Sequence, residues 1–255
     1  MHKLIITITV VTVALLGTTA HAVPTQVIDL GDTTIEDVQI GYSGDYKKES
    51  LEYWFSENGI TNEDGSAIDP VADQLQYEMF YTDAARDYQV EFLGIGYARY
   101  HSPFGVFTYG GNPFDGFDAS ELNFFDPLFV QNEVPDGSVF DFSTDADTYF
   151  GFYLNSNNGG NNLTTLNAAN SDGLDHALFY ETNKGYTIAF EDIVGGGDRD
   201  YEDLVINFSP SSGDGFTEYG GGNPVPEPAT LVMLGVGLIG IGGVGRKVQG
   251  QRKRT

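Results

Sequence analysis

The clearest structural signal in this 255-residue chain is residues 186–206, which read Tyr186-Thr187-Ile188-Ala189-Phe190-Glu191-Asp192-Ile193-Val194-Gly195-Gly196-Gly197-Asp198-Arg199-Asp200-Tyr201-Glu202-Asp203-Leu204-Val205-Ile206. Polar and apolar side chains alternate over 186–190, the period expected of a strand with one buried face. Three glycines then permit a tight turn with positive φ, and a second apolar run follows. The stretch therefore predicts two strands joined by an acidic, glycine-rich turn.

Short apolar and aromatic runs separated by Gly, Asn, Asp and Pro recur along the chain, and nine of them are predicted as strands. These are 51–55, 75–81, 88–97, 105–109, 139–142, 149–154, 177–180, 186–191 and 204–208. Short helices are predicted at 69–76 and 164–169, and loops at 155–162 and 213–224. The turn-rich spacing predicts an all-β chain with a single β-sandwich or jelly-roll-like domain.

The N-terminal residues have the features of an export signal. A basic start is followed by an apolar run over 4–16 and by Ala20-His21-Ala22, whose small residues suit a signal peptidase. The alternative is a transmembrane anchor, for which the run is shorter than the roughly 20 apolar residues needed. We predict a signal peptide over 1–22, with cleavage after Ala22.

The C-terminal residues form a second three-part signal. Val225-Pro226-Glu227-Pro228-Ala229-Thr230 precedes a glycine-studded apolar run over 231–245, and Arg and Lys residues close the chain. The prolines prevent regular structure just before the run. The run is only just long enough to cross a bilayer even when it is counted from Pro228 to Gly245, and the basic tail would stay on the cytoplasmic side.

This C-terminal pattern resembles the PEP-CTERM sorting signal of bacteria that make exopolysaccharide. The resemblance implies that a membrane enzyme, the exosortase, recognises Pro226, Glu227 and Pro228 and processes the protein at the cell surface. A plain C-terminal membrane anchor is the alternative. The predicted organisation is a signal peptide (1–22), an acidic β-sandwich (23–212), a Gly-rich linker (213–224) and the sorting signal with its transmembrane helix (225–255).

Charge and composition narrow the function classes. Residues 23–222 contain 6 basic and 36 acidic residues, a net charge of −30. Such a surface repels nucleic acid and anionic headgroups, so we expect no nucleic-acid partner.

The chain has no cysteine, so disulfides cannot cross-link its loops, and bound metal ions are the natural substitute. With 18 Phe and 15 Tyr, the chain is too aromatic for a disordered acidic polymer.

The acidic turn is the only constellation that predicts site chemistry. Six carboxylates fall within 13 residues, and their repulsion costs several kcal/mol unless a cation lies among them. Ca²⁺ suits such a turn because it takes six to eight oxygen ligands in a tolerant geometry. A solvated acidic hairpin is the alternative. The predicted metal ligands are Glu191, Asp192, Asp198, Asp200 and Asp203.

The same turn resembles a family of bacterial surface domains, domain of unknown function family 4114. The matching residues are Phe190, Glu191, Asp192, Gly196, Gly197, Asp198, Asp200, Tyr201 and Asp203, with Asp175-His176 upstream and Phe104-Gly105-Val106-Phe107 earlier. The chain departs from the pattern at Glu202, where the family usually has Asn. The resemblance implies a β-sandwich, calcium binding and an adhesive or matrix context, and it implies no established reaction.

Catalysis is not predicted. After signal cleavage only His101 and His176 remain, and no G-x-S-x-G elbow occurs. We predict that His176 hydrogen-bonds a carboxylate. Asp175, His176 and Glu202 are predicted either to hold the metal ligands in place or to act as additional ligands. An aromatic cluster is assigned to the core, with a sugar-stacking platform as the alternative. The members of that cluster are Tyr97, Tyr100, Phe104, Phe107 and Tyr109.

The predicted function is therefore a non-enzymatic, exported protein of the bacterial cell surface or extracellular matrix, with a calcium-stabilised sandwich and an association with exopolysaccharide or biofilm. Two alternatives stay open. One is a carbohydrate-binding module, which the single tryptophan of the chain disfavours. The other is a hydrolase acting on surface polysaccharide, which would need a carboxylate pair that the sequence does not single out.

Overall fold

The computed structural model describes residues 25–31, 33–39, 50–96, 101–156, 160–211 and 216–218. The predicted signal peptide, most of the linker and the sorting signal with its transmembrane helix lie outside these residues, as do Tyr97 and Tyr100. All described residues belong to the first of two units, Met1–Tyr219. Among them, no helix has the length and apolar character needed to cross a bilayer.

Strands dominate the described residues. They are β1 (Thr25–Ile28), β2 (Met79–Thr82), β3 (Arg86–Gly94), β4 (Pro103–Tyr109), β5 (Leu122–Phe124), β6 (Phe129–Val130), β7 (Val139–Thr144), β8 (Thr148–Ser156), β9 (Asn161–Thr164), β10 (Ala177–Thr182), β11 (Gly185–Phe190), β12 (Leu204–Pro210) and β13 (Phe216–Glu218). One α-helix, α1 (Leu51–Glu57), and three 3₁₀ turns, Pro113–Asp115, Ala119–Glu121 and Asn167–Ala169, complete the described elements.

The strands form two sheets. Five strands follow the order β10-β11-β12-β3-β7, and every neighbouring pair in this sheet is antiparallel. The second sheet has eight strands, with a main path β13-β1-β2-β8-β4-β5, while β6 pairs with β4 and β9 with β8. Its β1–β13 pair is parallel, and its other pairs are antiparallel. The predicted all-β sandwich is confirmed.

β11 and β12 are buried on both faces, whereas the alternation over 186–190 predicts a strand with one buried face. Ile188 pairs with Ile206, and both side chains are buried in the main core. Ala189 and Val205, one residue along each strand, are buried in a second cluster. Since successive side chains of a strand point to opposite faces, both faces of this sheet are covered.

Aromatic rings fill most of the main core. Phe208 lies at its centre, with its ring centroid 4.6 Å from that of Phe80, 5.0 Å from that of Phe152 and 5.3 Å from that of Tyr88. All four side chains are almost fully buried. Burying a phenylalanine stabilises the fold by about 1.5–3 kcal/mol, so this aromatic core is a large favourable contribution in a chain without disulfides.

The core assignment of Phe104, Phe107 and Tyr109 is also confirmed, because all three are buried.

The prediction of a strand over 51–55 is wrong, because these residues form α1. Ser50 caps the helix, its hydroxyl accepting a hydrogen bond from the Tyr53 N–H at 3.3 Å. Leu51, Trp54 and Phe55 are buried, which is the i, i+3, i+4 spacing of a helix packed on a core. Serine followed by this spacing is a helix-start signal that the short aromatic run obscured.

The predicted helix over 69–76 is also wrong. The Asp69 side chain caps a single turn by accepting from the N–H groups of Val71 and Ala72. The chain then becomes extended, because the Leu75 N–H donates to the Phe179 carbonyl at 2.9 Å. An isolated bridge to β10 therefore replaces the helix. The predicted turn at 164–169 is present as the 3₁₀ turn Asn167–Ala169.

The two segments predicted as loops contain strand residues. β8 extends to Ser156 and β9 begins at Asn161, so only part of 155–162 connects them. β13 lies within 213–224 and pairs with β1 through Thr25↔Phe216. Pairing of backbone groups at a sheet edge does not require an alternating side-chain pattern, which is why composition alone did not indicate these short strands.

Removing the central ring tests this core. We expect Phe208→Ala to lower the free energy of unfolding by about 3–5 kcal/mol, because it leaves a cavity among rings that cannot close it. Denaturation followed by fluorescence of Trp54, the only tryptophan and a buried one, measures the change. Phe124→Ala, at a position that is 37% exposed, is the control and should cost less than about 1 kcal/mol. Equal losses in the two variants would contradict the assignment.

Candidate metal centre

The strand register brings the acidic residues at the two ends of the turn together. Phe190, the last residue of β11, pairs with Leu204, the first residue of β12. Glu191 and Asp203 therefore follow and precede paired positions of adjacent antiparallel strands, which lie about 5 Å apart. The eleven residues between them return the chain over a short distance, so the carboxylates of the turn converge on its base.

The turn has an unusual backbone that explains its glycines. All three glycines over 195–197 have positive φ, as do Arg199 (60°) and Tyr201 (55°). Positive φ is disfavoured for residues with a Cβ. A Cβ at Gly197 would also collide with the Glu191 carboxylate, so Gly197 is required both for its conformation and for this close approach.

Glu191 holds the turn in place with both oxygens. Its Oε1 accepts a hydrogen bond from the Ile193 N–H at 3.2 Å, and its Oε2 accepts from the Arg199 N–H at 3.1 Å. These bonds connect the end of β11 to both sides of the glycine turn. The Glu191 carboxylate is therefore part of the folded turn and is fixed in position.

Three of the predicted ligands converge on one point. Glu191, Asp200 and Asp203 each offer a carboxylate oxygen, and the three oxygens lie within 4.8 Å of one another. All three residues are buried, with Glu191 0%, Asp200 6% and Asp203 5% exposed. We call these three residues the carboxylate cluster. Carboxylate oxygens are the ligands that calcium prefers, and their separation is within the span of one coordination sphere.

The electrostatics of the carboxylate cluster disfavour three free negative charges. Burial, followed by the charges of Asp198 and Asp200, raises the pKa of Glu191 to about 7. Burial and the charges of Asp192 and Glu191 raise the pKa of Asp203 well above its usual value. Without a cation, these carboxyls therefore retain protons at pH values where exposed carboxyls have lost them.

Neighbouring elements fix the backbone around the cluster. The Asp192 N–H donates to Asp203 Oδ2 at 2.8 Å, joining the two ends of the turn. Ser156 of β8 donates its hydroxyl to the Asp192 carbonyl at 2.6 Å. The Gln131 amide donates to the Asp203 carbonyl at 2.7 Å. Ser156 and Gln131 were not predicted, and their contribution is a contact across the sandwich that no local sequence pattern encodes.

Two predicted ligands lie outside the carboxylate cluster. Asp192 is fully buried, and its charge is among the causes that raise the pKa of both Glu191 and Asp203. Asp198 is exposed, and its charge also raises the pKa of Glu191. Both residues therefore increase the negative potential at the cluster. Their assignment as direct ligands stays a prediction.

The three predicted supporting residues lie at different places around the turn. The Glu202 carboxylate packs against Gly96, where a Cβ would collide with it, and the Glu202 carbonyl accepts from the Gly96 N–H at 2.7 Å. The Asp175 carbonyl accepts a hydrogen bond from the Tyr201 hydroxyl at 3.1 Å. His176 is fully buried, and its Nδ1 lies 3.2 Å from the Glu191 carbonyl.

The carboxylate partner of His176 is Asp172, a residue that was not predicted. His176 Nε2 lies 2.9 Å from Asp172 Oδ2, which also accepts from the Gly195 N–H at 2.7 Å. Burial alone would raise the pKa of Asp172, but hydrogen bonds from Gly195, His176 and Leu174 outweigh it and lower that pKa. The Asp172-Gly173 pair four residues before the histidine is a turn signal that could have indicated this contact.

The segment 33–39 also contacts the turn, and no local sequence pattern indicates this contact. The Gln39 N–H donates to the Arg199 carbonyl at 2.9 Å, and the Arg199 guanidinium lies 3.6 Å from the Glu36 carboxylate. The Thr34 N–H approaches Asp175 Oδ2 at 3.4 Å. This segment therefore covers one side of the turn.

Comparisons with known proteins support the two resemblances. Residues 134–210 match the family described as domain of unknown function (DUF4114), and residues 224–247 match the PEP-CTERM protein-sorting motif. The first match includes the whole turn from β11 to β12, and both predicted resemblances are confirmed. No curated protein and no solved structure matched the chain.

The raised pKa values predict how stability depends on pH in the absence of calcium. The folded state keeps a proton on Glu191 up to about pH 7, whereas the unfolded state releases it near the usual value. The stabilisation is therefore complete below that usual value and is lost as pH rises through about 7. Asp203 acts in the same direction, and the lowered pKa of Asp172 matters only in acid, below this range.

In a chelating buffer, we expect the free energy of unfolding to fall by about 2–3 kcal/mol between pH 5 and pH 8 from Glu191 alone. Urea unfolding at a series of pH values measures this change. Saturating calcium should flatten the dependence, because the cation replaces the protons. Chelated protein that is equally or more stable at the higher pH would show that the cluster carboxyls ionise without cost.

Proposed function

We propose that this protein is a non-enzymatic component of the bacterial cell surface or extracellular matrix, and that calcium stabilises its β-sandwich. The proposal starts from a chain with a PEP-CTERM sorting motif and a DUF4114 region. The sorting motif supports an exported, exosortase-sorted and envelope-associated protein. Calcium binding, the absence of catalysis and an association with exopolysaccharide or biofilm are parts of the proposal.

The carboxylate cluster is the observation that carries the calcium proposal. Glu191, Asp200 and Asp203 are buried side chains from one turn whose oxygens lie within 4.8 Å of one another. Burying like charges together costs free energy unless a cation is added or protons are retained. At neutral pH, Ca²⁺ meets this requirement with charge, and its coordination sphere takes six to eight oxygens. The cluster supplies one oxygen from each of its three carboxylates.

Calcium at this position would act as a structural cross-link. It would join the end of β11 to the start of β12 at the centre of the five-stranded sheet. Ser156 and Gln131 connect the same turn to other elements of the fold. In a chain with no cysteine, such an ion takes the place of the disulfides on which many exported domains depend.

The environment of His176 supports a non-enzymatic role. Its side chain is fully buried, and its two ring nitrogens lie beside the Asp172 carboxylate and the Glu191 carbonyl. A general base must reach a proton of the substrate, directly or through one water. Because both nitrogens are engaged with the turn, His176 serves to position the backbone of Glu191.

Thermal melting with calcium and with a chelator tests the calcium proposal. At a calcium concentration of about 100 times Kd, binding adds about 2.7 kcal/mol. In a domain of this size, that should raise Tm by roughly 5–10 °C. Asp200→Asn should remove most of the shift, because it removes one negative ligand.

The same substitution should have the opposite effect in chelator. There, Asp200→Asn should raise Tm relative to the unsubstituted protein at neutral pH, because it removes a buried repulsive charge. Asp136→Asn, at an exposed aspartate in the turn before β7, is the matched control and should retain the full calcium shift. Equal midpoints with calcium and with chelator in the unsubstituted protein would remove the calcium proposal.

The sorting motif gives a prediction for the mature protein. Intact-mass measurement of the protein from its native cells should show a chain that begins at Val23 and has lost the apolar run and basic tail after the motif. Replacing Pro226 and Pro228 by alanine should leave that tail attached in the cell membrane fraction. A full-length C-terminus in the unsubstituted protein would indicate a permanent anchor without exosortase processing.

A further inference from the structure

A groove of about 1090 Å³ opens between the two sheets, on the side where β7 ends one sheet and β5 ends the other. Its walls come from β3 and β7 on one side and from β4, β5 and the segment after β5 on the other. The groove and the carboxylate cluster share no residue, so they are two distinct sites. The volume of the groove is slightly above the roughly 300–1,000 Å³ of typical ligand sites.

The floor of the groove is the exposed end of the main core. Val106 is buried in that core, and Leu128 and Phe142 pack against it while also lining the groove. Asn123 and Phe125 line the groove two residues apart, as expected for side chains on one face of an extended segment. The groove therefore presents apolar surface below and polar groups above.

Phe125 is an exposed ring on a fixed backbone. Its side chain is 49% exposed, but its N–H donates to the Val106 carbonyl at 3.0 Å, and its carbonyl accepts from the Tyr153 hydroxyl at 2.7 Å. Burial, and then the charge of Asp126, raises the pKa of Tyr153, so this hydroxyl keeps the proton that it donates. The backbone that carries the ring is thus fixed before any ligand binds, which lowers the entropy cost of binding.

The rim carries acceptors and hydroxyl groups. Asp87, Asp126 and Asp145 are exposed carboxylates at the groove, and Arg86 is its one basic residue. The Ser143 hydroxyl donates to Asp87 Oδ1 at 2.7 Å, so that carboxylate is oriented and keeps further lone pairs for a ligand. Because the groove carries three negative charges and one positive charge, it repels anionic polymers.

We infer that this groove binds an uncharged polysaccharide chain. A sugar ring has an apolar face of C–H groups that packs on an aromatic ring, and a perimeter of hydroxyl groups that donate to carboxylates and amides. Phe125 provides the ring, while Asn123 and the rim aspartates provide the acceptors. A basic peptide would satisfy the charge alone, but an uncharged glycan uses the aromatic face and the acceptors together.

The inference does not depend on the calcium proposal, and affinity gel electrophoresis of the exported protein tests it. In gels containing dextran, mannan, galactan or a β-glucan, at least one polymer should retard the protein. Alginate and polygalacturonate should not. Phe125→Ala should weaken the retardation about tenfold, as expected for loss of one central aromatic contact.

Three further variants distinguish the groove from other exposed rings and from the carboxylate cluster. Phe114→Ala removes another exposed ring, one that lies outside the groove, and should change the retardation by less than about twofold. Asn123→Ala is a second groove variant that should weaken it in the same direction. Asp200→Asn should lose most of the calcium-dependent rise in Tm while Phe125→Ala retains it, so failure of the calcium proposal and failure of groove binding are distinguishable.

Three outcomes would overturn the inference. They are no retardation by any of the four uncharged polymers, retardation by alginate instead, and retardation that Phe125→Ala and Asn123→Ala both leave intact. Binding of polylysine that Phe125→Ala weakens, with no binding of uncharged polymers, would assign the groove to a peptide instead.

Discussion

Repulsion among buried carboxylates is the constraint that organises this domain. The pairing of Phe190 with Leu204 places Glu191 and Asp203 at the base of one turn, and the turn returns Asp200 to the same point. In a low-dielectric surrounding, these charges require protons or a cation. The raised pKa values of Glu191 and Asp203 show that protons can meet this requirement. We propose that calcium meets it at neutral pH.

The rest of the fold supports this turn from several directions. The Glu191 carboxylate accepts from two backbone N–H groups of the turn, and His176 contacts the Glu191 carbonyl. Bonds from Ser156 and Gln131 reach the same turn from other elements. Because these contacts come from distant parts of the chain, loss of the cation would loosen elements on both sides of the main core. Under the calcium proposal, the domain combines an aromatic interior with stability that depends on the ions outside the cell.

Local patterns explain how far the sequence could predict this structure. The alternation over 186–190 and the glycine turn predicted β11, β12 and the acidic turn between them. The density of carboxylates in that turn predicted five metal ligands, of which the structure brings Glu191, Asp200 and Asp203 together. The contacts of Asp172, Gln131 and Ser156 were missed because they depend on tertiary approach. The strand predicted over 51–55 is wrong because a short aromatic run fits both the helical and the strand period. The Ser50 cap stabilises the helix. Edge strands such as β13 form through backbone pairing, which side-chain patterns do not reveal.

A crystal structure of the domain grown in abundant calcium tests the central claim most directly, since anomalous scattering locates the ion. The account predicts a peak within about 2.3–2.6 Å of carboxylate oxygens from Glu191, Asp200 and Asp203. Carboxylates separated from one another and facing solvent, with no peak between them, would contradict it.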